Sequence, residues 1–203
     1  MKCLIVVNAY IKNKSQIMQA ERIAVELKLL GAECEICKNV ALAEIVNGNI
    51  VAPEYDCCVF LDKDKAAARL LEKSGIRLFN SAAAVEVCDD KMLTHIALAN
   101  CGVPMPDSIY APLCYYADAK ILHEFLNKVE TLGYPLVAKT CYGSLGGGVF
   151  LVGNRAELED FEAKYKTIAH FYQRFTGKGG EDIRAIVIGG ENLFALCAEE
   201  TKT

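Results

Sequence analysis

Several things are scarce in this 203-residue chain, and each scarcity removes a class of protein. Proline occurs 5 times, and charged residues make up 24% against 53% hydrophobic ones, which excludes a disordered polypeptide. The formal net charge is −4. No basic field is available to draw nucleic acid, and the acidic excess is too mild to select a partner. No apolar run approaches the roughly 18 residues of a membrane span, so no membrane partner is expected. Met1-Lys2 leads straight into a strand-like run, Cys3-Leu4-Ile5-Val6-Val7, so no signal peptide is expected. That run is not followed by Gly-x-Gly-x-x-Gly, and Gly-x4-Gly-Lys-Ser/Thr occurs nowhere. The dinucleotide fingerprint and the P-loop are both removed. There is no internal repeat and no low-complexity segment.

Cysteine is abundant, with 10 residues, but its placement argues against a disulfide framework. Cys57-Cys58 lie in an apolar run, and Cys3, Cys88, Cys101 and Cys197 sit among core-like residues. Free cysteine behaves as a small buried hydrophobe, so a reducing, cytoplasmic setting is expected. Cys34-x-x-Cys37 has a redox or half-zinc spacing. It falls in an alternating strand-like stretch, where residues three apart face opposite sides, and no second pair completes a zinc site. A structural role is the expectation.

Through about Asn80 the pattern is strand, helix, strand, helix. Strands are predicted at Cys3–Val7, Glu33–Lys38, Tyr55–Leu61 and Ile76–Phe79. A helix capped by Ser15 runs to about Leu30, with Ile17, Met18, Ile23, Ala24, Leu27 and Leu30 on one face. A second helix opens at Asp62-Lys63-Asp64. Mostly apolar strands alternating with helices predict a small parallel sheet covered on both faces, an α/β domain over residues 1–80. From Ser81 the pattern changes to α+β over residues 81–203. Ser81 caps one helix, and another runs over 89–100 with an acidic first turn. A short strand is predicted at Ser108–Tyr110, helices over 119–131 and 157–165, an aromatic strand over 168–175, and an antiparallel pair at 182–190 and 192–197.

The stretch Leu136 to Val152 carries the functional signal. It reads as an apolar strand ending in Lys139, a loop containing Tyr142, Gly143, Ser144, Gly146, Gly147 and Gly148, then a second apolar strand. Glycines let backbone N–H groups approach an anion closely, and Lys139 would supply a cation. A plain β-hairpin fits the same residues. Lys91, early in a helix, together with the aromatic strand and the following Asp182 and Arg184, turns the balance towards a nucleotide site.

In these residues the chain resembles the ATP-grasp superfamily, and within it the RimK-like ligases of glutamate-ligase type. The matching segments are Phe79-Asn80-Ser81, Asp89 to Thr94, Gly102 to Pro106, Tyr134 to Lys139, Tyr142 to Val149, Gln173-x-Phe175, Asp182-Ile183-Arg184 and Val187 to Gly190. The resemblance covers about Phe79 to Cys197. It implies a pre-ATP-grasp α/β domain followed by α+β ATP-grasp lobes with ATP between them. It also implies an ATP-dependent ligase that joins a carboxylate, such as that of an amino acid like glutamate, to a small-molecule or protein amine through an acyl-phosphate. Carried over residue by residue, Lys91 and Lys139 would meet the phosphates, and Tyr142 to Gly148 would form the phosphate flap. Gln173, Arg174 and Phe175 would form the adenine hinge. Asp182 and Arg184 would lie near ribose and phosphates, with Arg184 in the catalytic role.

Two departures from the family pattern stand beside this. Arg174 occupies the place of a glutamate, and an arginine cannot accept hydrogen bonds. The family's magnesium ligands, an acidic residue and a Glu-x-Asn set, fall downstream of Arg184, and the chain stops at Thr203 before them. Magnesium is therefore expected to be held by residues beyond this stretch, and the second lobe is expected to be incomplete, with self-association through the surface so exposed. Glu199-Glu200 read as a solvated tail. The alternatives are a non-catalytic ATP-binding module without a metal set, and a flavodoxin-like or sugar-nucleotide-binding protein with its ligand at the strand ends of the first domain.

Overall fold

A computed structural model describes residues 1–40, 42–144, 146–177, 181–188 and 191–199. The chain divides into two units, Met1–Gly102 and Val103–Thr203.

In the first unit the elements follow as β1 (Lys2–Val7), α1 (Lys14–Leu29), β2 (Glu33–Lys38), β3 (Glu44–Val46), β4 (Asn49–Val51), β5 (Cys57–Phe60), α2 (Lys65–Lys73), β6 (Arg77–Phe79), α3 (Ala82–Asp89) and α4 (Lys91–Leu98). Four strands form a parallel sheet in the order β2-β1-β5-β6. Successive residues of β1 point to opposite faces, and both faces are covered. Leu4 and Val6 pack with Cys58, Phe60, Ala68, Leu71, Leu78 and Val85 on the α2–α3 side. Ile5 and Val7 meet Ala20 and Ala24 of α1 on the other. Cys34 packs with the α1 cluster and Cys37 with the opposite one, so this pair does not converge on a ligand. Burial, helped by the charge of Glu35, pushes the Cys37 thiol up to about 11.

Several details differ from the sequence expectation. The α1 cap is Asn13, whose Oδ1 accepts from the Ser15 N–H at 2.9 Å, so Ser15 lies inside the first turn. The buried stripe of α1 runs through Ala20, Ile23, Ala24 and Leu27. Met18 and Leu30 fall outside it and are 65% and 83% exposed. Cys88 and Cys101 are exposed as well. The second helix pair breaks at Asp90, which caps α4 by accepting from the Met92 and Leu93 N–H groups at 2.8 and 3.1 Å. Asp89 therefore closes α3, and α4 has no acidic first turn.

In the second unit the order is β7 (Ser108–Tyr110), α5 (His123–Glu130), β8 (Leu136–Thr140), β9 (Val149–Val152), α6 (Arg155–Tyr165), β10 (His170–Arg174), β11 (Glu181–Ile188) and β12 (Glu191–Glu199). An antiparallel sheet runs β7-β10-β8-β9, and β11 pairs with β12 in a separate hairpin. One face of the sheet, through Leu136, Ala138, Val152 and Tyr172, packs on Leu126, Val129, Leu158 and Phe161 of α5 and α6. Each large side chain buried there contributes about 1.5–3 kcal/mol. Helix α5 starts four residues later than predicted. The carbonyl of Ala119, which a longer helix would have used internally, is taken by the Lys166 ammonium. Glu199 lies in β12, in register with Glu181, rather than in a tail.

The core face of the second sheet holds one polar network. Glu162 Oε2 accepts from Tyr172 Oη at 2.5 Å and stands 3.1 Å from His170 Nε2, while His170 Nδ1 is 2.7 Å from the Ile168 carbonyl. Burial works against ionisation of Glu162. The His170 and Tyr172 hydrogen bonds outweigh it and hold the carboxyl below its ordinary value. Burial first, then the hydrogen bond to Glu162, push the Tyr172 hydroxyl far up.

Candidate functional site

Strand alternation leaves the second face of this sheet to Val137 and Lys139 of β8, Phe171 and Gln173 of β10, and Ser108 of β7. Residue Gln173 lies opposite Ser108 on one side and Val137 on the other. Three short strands thus bring together residues that are far apart in the chain.

The polar groups on this face form a directional chain. Lys139 Nζ donates to Gln173 Oε1 at 2.6 Å. Gln173 Nε2 donates to Ser108 Oγ at 3.0 Å. Ser108 Oγ donates in turn to the Pro106 carbonyl at 3.0 Å. A charge-assisted bond of the first kind contributes about 1.5–3 kcal/mol. It also fixes which end of the amide faces the ammonium, since only Oε1 can accept. The Lys139 ammonium stands 6.0 Å from the centre of the Phe171 ring. Lys139 is half-buried and Gln173 is 5% exposed, so the cation is aimed by its neighbours rather than by solvent.

Directly after Lys139 the chain enters the glycine loop, which is closed at its base. Thr140 N–H donates to the Gly148 carbonyl at 2.9 Å, and Cys141 N–H to the Ala169 carbonyl at 2.8 Å. Thr140 Oγ1 donates to the Tyr142 carbonyl at 2.8 Å. Gly148 has φ +79°, and a Cβ built on it would overlap Thr140 Oγ1. Only glycine satisfies both the left-handed backbone and the close approach. Nearer the tip the Gly147 N–H donates to the Ser144 carbonyl at 3.0 Å, and Tyr142 is 49% exposed.

Arg174 follows Gln173 and turns away from the Lys139 chain. Its Nε donates to Asp107 Oδ2 and its backbone N–H to the Asp107 carbonyl, at 3.0 and 2.9 Å. Phe175, the next residue, is 37% exposed. Lys91 belongs to the first unit, where it is the first residue of α4. Asp182 and Arg184 are placed on β11, opposite Ala198 and Leu196, and their side chains lie outside the described residues. The structure therefore brings together Lys139, Gln173 and the loop from Tyr142 to Gly148. It adds Ser108, Thr140 and Asp107, which the sequence did not single out.

Among the described residues no group of three or more His, Cys, Asp or Glu side chains is arranged to hold a metal ion. No helix among them is long and apolar enough to cross a membrane.

A family described as the RimK-like ATP-grasp domain matches residues 88–201. Human N-acetylaspartylglutamate synthase A is 33% identical over 137 residues, 66% of this chain and 34% of that protein. Glutamate–LysW ligase ArgX of Sulfolobus acidocaldarius is 35% identical over 133 residues, 63% of this chain and 44% of that protein. The chain thus spans about a third of the length of the first of these relatives. Among solved structures, the D-alanine–D-alanine ligase of Bacillus anthracis complexed with ATP superimposes with a TM-score of 0.71 at 20% identity, covering 100% of this chain and 67% of that one. A RimK domain protein from Sphaerobacter thermophilus gives 0.67 at 18% identity. At these identities the likeness is one of fold.

Proposed function

Because the chain belongs to the RimK-like ATP-grasp family, we propose that it binds ATP on the open face of the second sheet and serves an ATP-dependent carboxylate–amine ligase. The observation that carries the reading is the Lys139–Gln173–Ser108 chain, set beside a glycine loop closed by Thr140 and Gly148. A cation held by a buried amide is presented in one direction, which suits the oxygens of a nucleotide phosphate.

In this proposal Lys139 meets the α- and β-phosphates, with Lys91 acting on the phosphate region. The loop of Tyr142, Gly143, Ser144, Gly146, Gly147 and Gly148 closes over the triphosphate and excludes water from a labile acyl-phosphate. Gln173, Arg174 and Phe175 border the base, and Asp182 the ribose. Arg184 neutralises charge as the γ-phosphoryl passes to the carboxylate oxygen. ADP leaves, the amine attacks the acyl carbon, and phosphate departs as the amide forms. The relatives' names pair glutamate with N-acetylaspartate or with LysW, so glutamate or a similar amino acid is the proposed small substrate, and the other partner is a small molecule or a protein. A cytoplasmic location and self-association belong to the same proposal.

Calorimetric titration with ATP tests it, with Lys139→Ala as control. Binding that is lost in the variant supports the reading. No binding by a folded chain ends it. A nucleotide-binding module without turnover is the second reading, favoured by Arg174, a residue that cannot accept hydrogen bonds and is engaged by Asp107. ADP release that depends on a carboxylate and an amine, measured on the complete gene product, rules that reading out.

A further inference from the structure

Strand β2 ends the parallel sheet of the first unit, and among the described residues no strand pairs with its outer side. Glu33 and Asn39 send their backbone N–H groups to the Met1 and Val7 carbonyls, at 2.9 and 3.0 Å. Successive backbone groups along a strand point to opposite sides, so those of Cys34, Ile36 and Lys38 face outward. Such a row of N–H and C=O groups is a template for another strand. Side chains do not bury it. Ile36 is 41% exposed, and Glu33, Glu35 and Lys38 are exposed as well.

A groove follows this edge on the side of the β3–β4 hairpin. Its two parts, of about 380 and 490 Å³, share Glu35, Pro53 and Tyr55. The larger part has an apolar wall that includes Cys37, Leu42 and Val51. The charges along the groove are of nearly one sign. Glu33, Glu35, Glu44 and Glu54 line it, against the ammonium of Lys2. Tyr55 Oη donates to Glu35 Oε2 at 2.5 Å and fixes that carboxylate. Charged side chains on an edge ordinarily keep other strands away. Carboxylates alone do so selectively. They repel an acidic strand, including a second copy of this edge, and attract a basic one.

We propose that β2 takes up an extended basic segment of a partner protein as a fifth strand of this sheet. Glu33, Glu35 and Cys37 share one face of the strand. A segment laid antiparallel, the more stable pairing, puts one residue opposite Cys37, beside Leu42 and Val51, and two others opposite Glu35 and Glu33. The pattern recognised is therefore apolar-x-basic-x-basic. Backbone hydrogen bonds supply the affinity and the alternate side chains the selectivity. The proposal concerns the first unit and does not depend on the nucleotide reading of the second.

The acetylated and amidated peptide TVTKTKT is the probe, titrated into the isotopically labelled chain and followed by amide NMR. Saturable shifts are expected at the amides of Cys34, Ile36 and Lys38. Two control peptides divide the causes. TVTETET reverses the charge. TVTKTKT methylated on the backbone nitrogens of its two inner threonines keeps the charge but cannot donate to the Ile36 and Cys34 carbonyls. Each is expected to bind at least about tenfold more weakly, as is the unmodified peptide to Ile36→Pro, which removes one outward N–H. Proline is tolerated on an edge strand where its N–H would face solvent, and amide dispersion shows whether the variant is folded. Should it not fold, the methylated peptide makes the same test on the unaltered chain. Absence of saturable shifts, or equal binding of the acidic or the methylated peptide, would overturn the proposal. So would a dimer, seen by light scattering, that Ile36→Pro dissolves, since the edge would then belong to a second copy.

Discussion

Gly148 lies so close to Thr140 that the space a Cβ would need is already filled by the threonine hydroxyl. One side chain thus ties the two arms of the glycine loop together, donating to the Tyr142 carbonyl while lying against Gly148. Gly148→Ala meets two costs at once, a left-handed backbone and an overlap. A loss of about 1–3 kcal/mol is expected, read from chemical denaturation. Thr140→Ala relieves the overlap but not the backbone cost. The double variant should therefore be less destabilised than the sum of the singles, and strict additivity would show that the two residues do not meet.

Gln173 is expected to act on nucleotide affinity through Lys139. Gln173→Leu removes the Oε1 acceptor and leaves the ammonium to reorient. ATP affinity should fall about tenfold, equivalent to about 1.4 kcal/mol. Gln173→Glu keeps an acceptor at the same place and should retain more of the affinity than Gln173→Leu. Calorimetric titration of both variants checks the order. If leucine and glutamate behave alike, the amide is not positioning the lysine.

The acid limb of the stability curve should contain a Glu162 component. Its carboxyl is held below the ordinary 4.5, so the folded state binds its proton less readily than the unfolded chain. The stabilisation is complete above 4.5 and is lost as pH falls through the folded value. Asp89, lowered chiefly by its hydrogen bond from Lys63, acts in the same direction from 3.8 downwards. Glu162→Gln should cost about 1–3 kcal/mol at neutral pH, because the buried Tyr172 and His170 lose their charged partner. It should also flatten the slope of stability against pH below about 4.5. Urea denaturation across a pH series measures both, and an unchanged slope would contradict the network.

Thiol reactivity should follow burial. Cys58 is fully buried, and burial, followed by the neighbouring cysteines, pushes its thiol up to about 12. Cys3 is raised to about 12 in the same way. Since the thiolate is the nucleophile, iodoacetamide at neutral pH should label Cys88 and Cys101 in the native chain and reach Cys3 and Cys58 only after unfolding. Mass spectrometry of timed samples checks this, and early labelling of Cys58 would show that the first sheet opens readily.

The parallel sheet of the first unit was legible because its strands are apolar runs closed by polar residues, and Asp64 and Ser81 cap α2 and α3 as their positions implied. The α1 cap was misplaced because Asn13 and Ser15 are both capping residues, and only the backbone decides between them. The hairpin of β3 and β4 was missed although Asn47-Gly48 signals it, with φ of 50° and 79° at the turn. Lys139 could be found from its place before the glycines. Its partner could not, because Gln173 arrives through strand pairing across 34 residues and Ser108 across 65. Local pattern says which side chains share a face of one strand. Which strands lie next to each other is settled by packing on α5 and α6, which the sequence states only weakly.

Tyr172 and Gln173 are neighbours on β10 with opposite requirements. The phenol needs the carboxylate on the helix side, and the amide needs the ammonium and the hydroxyl on the other. A slip of β10 by one residue against β8 would carry the amide in among Leu126 and Leu158 and turn the phenol out. Each group would leave the partners it has in the native register, and a buried polar group that loses its partner costs about 1–3 kcal/mol. The dipeptide therefore proofreads its own alignment. A mispaired sheet is penalised on both faces at once, so the chain that succeeds in folding this strand has, in the same step, put its lysine in place.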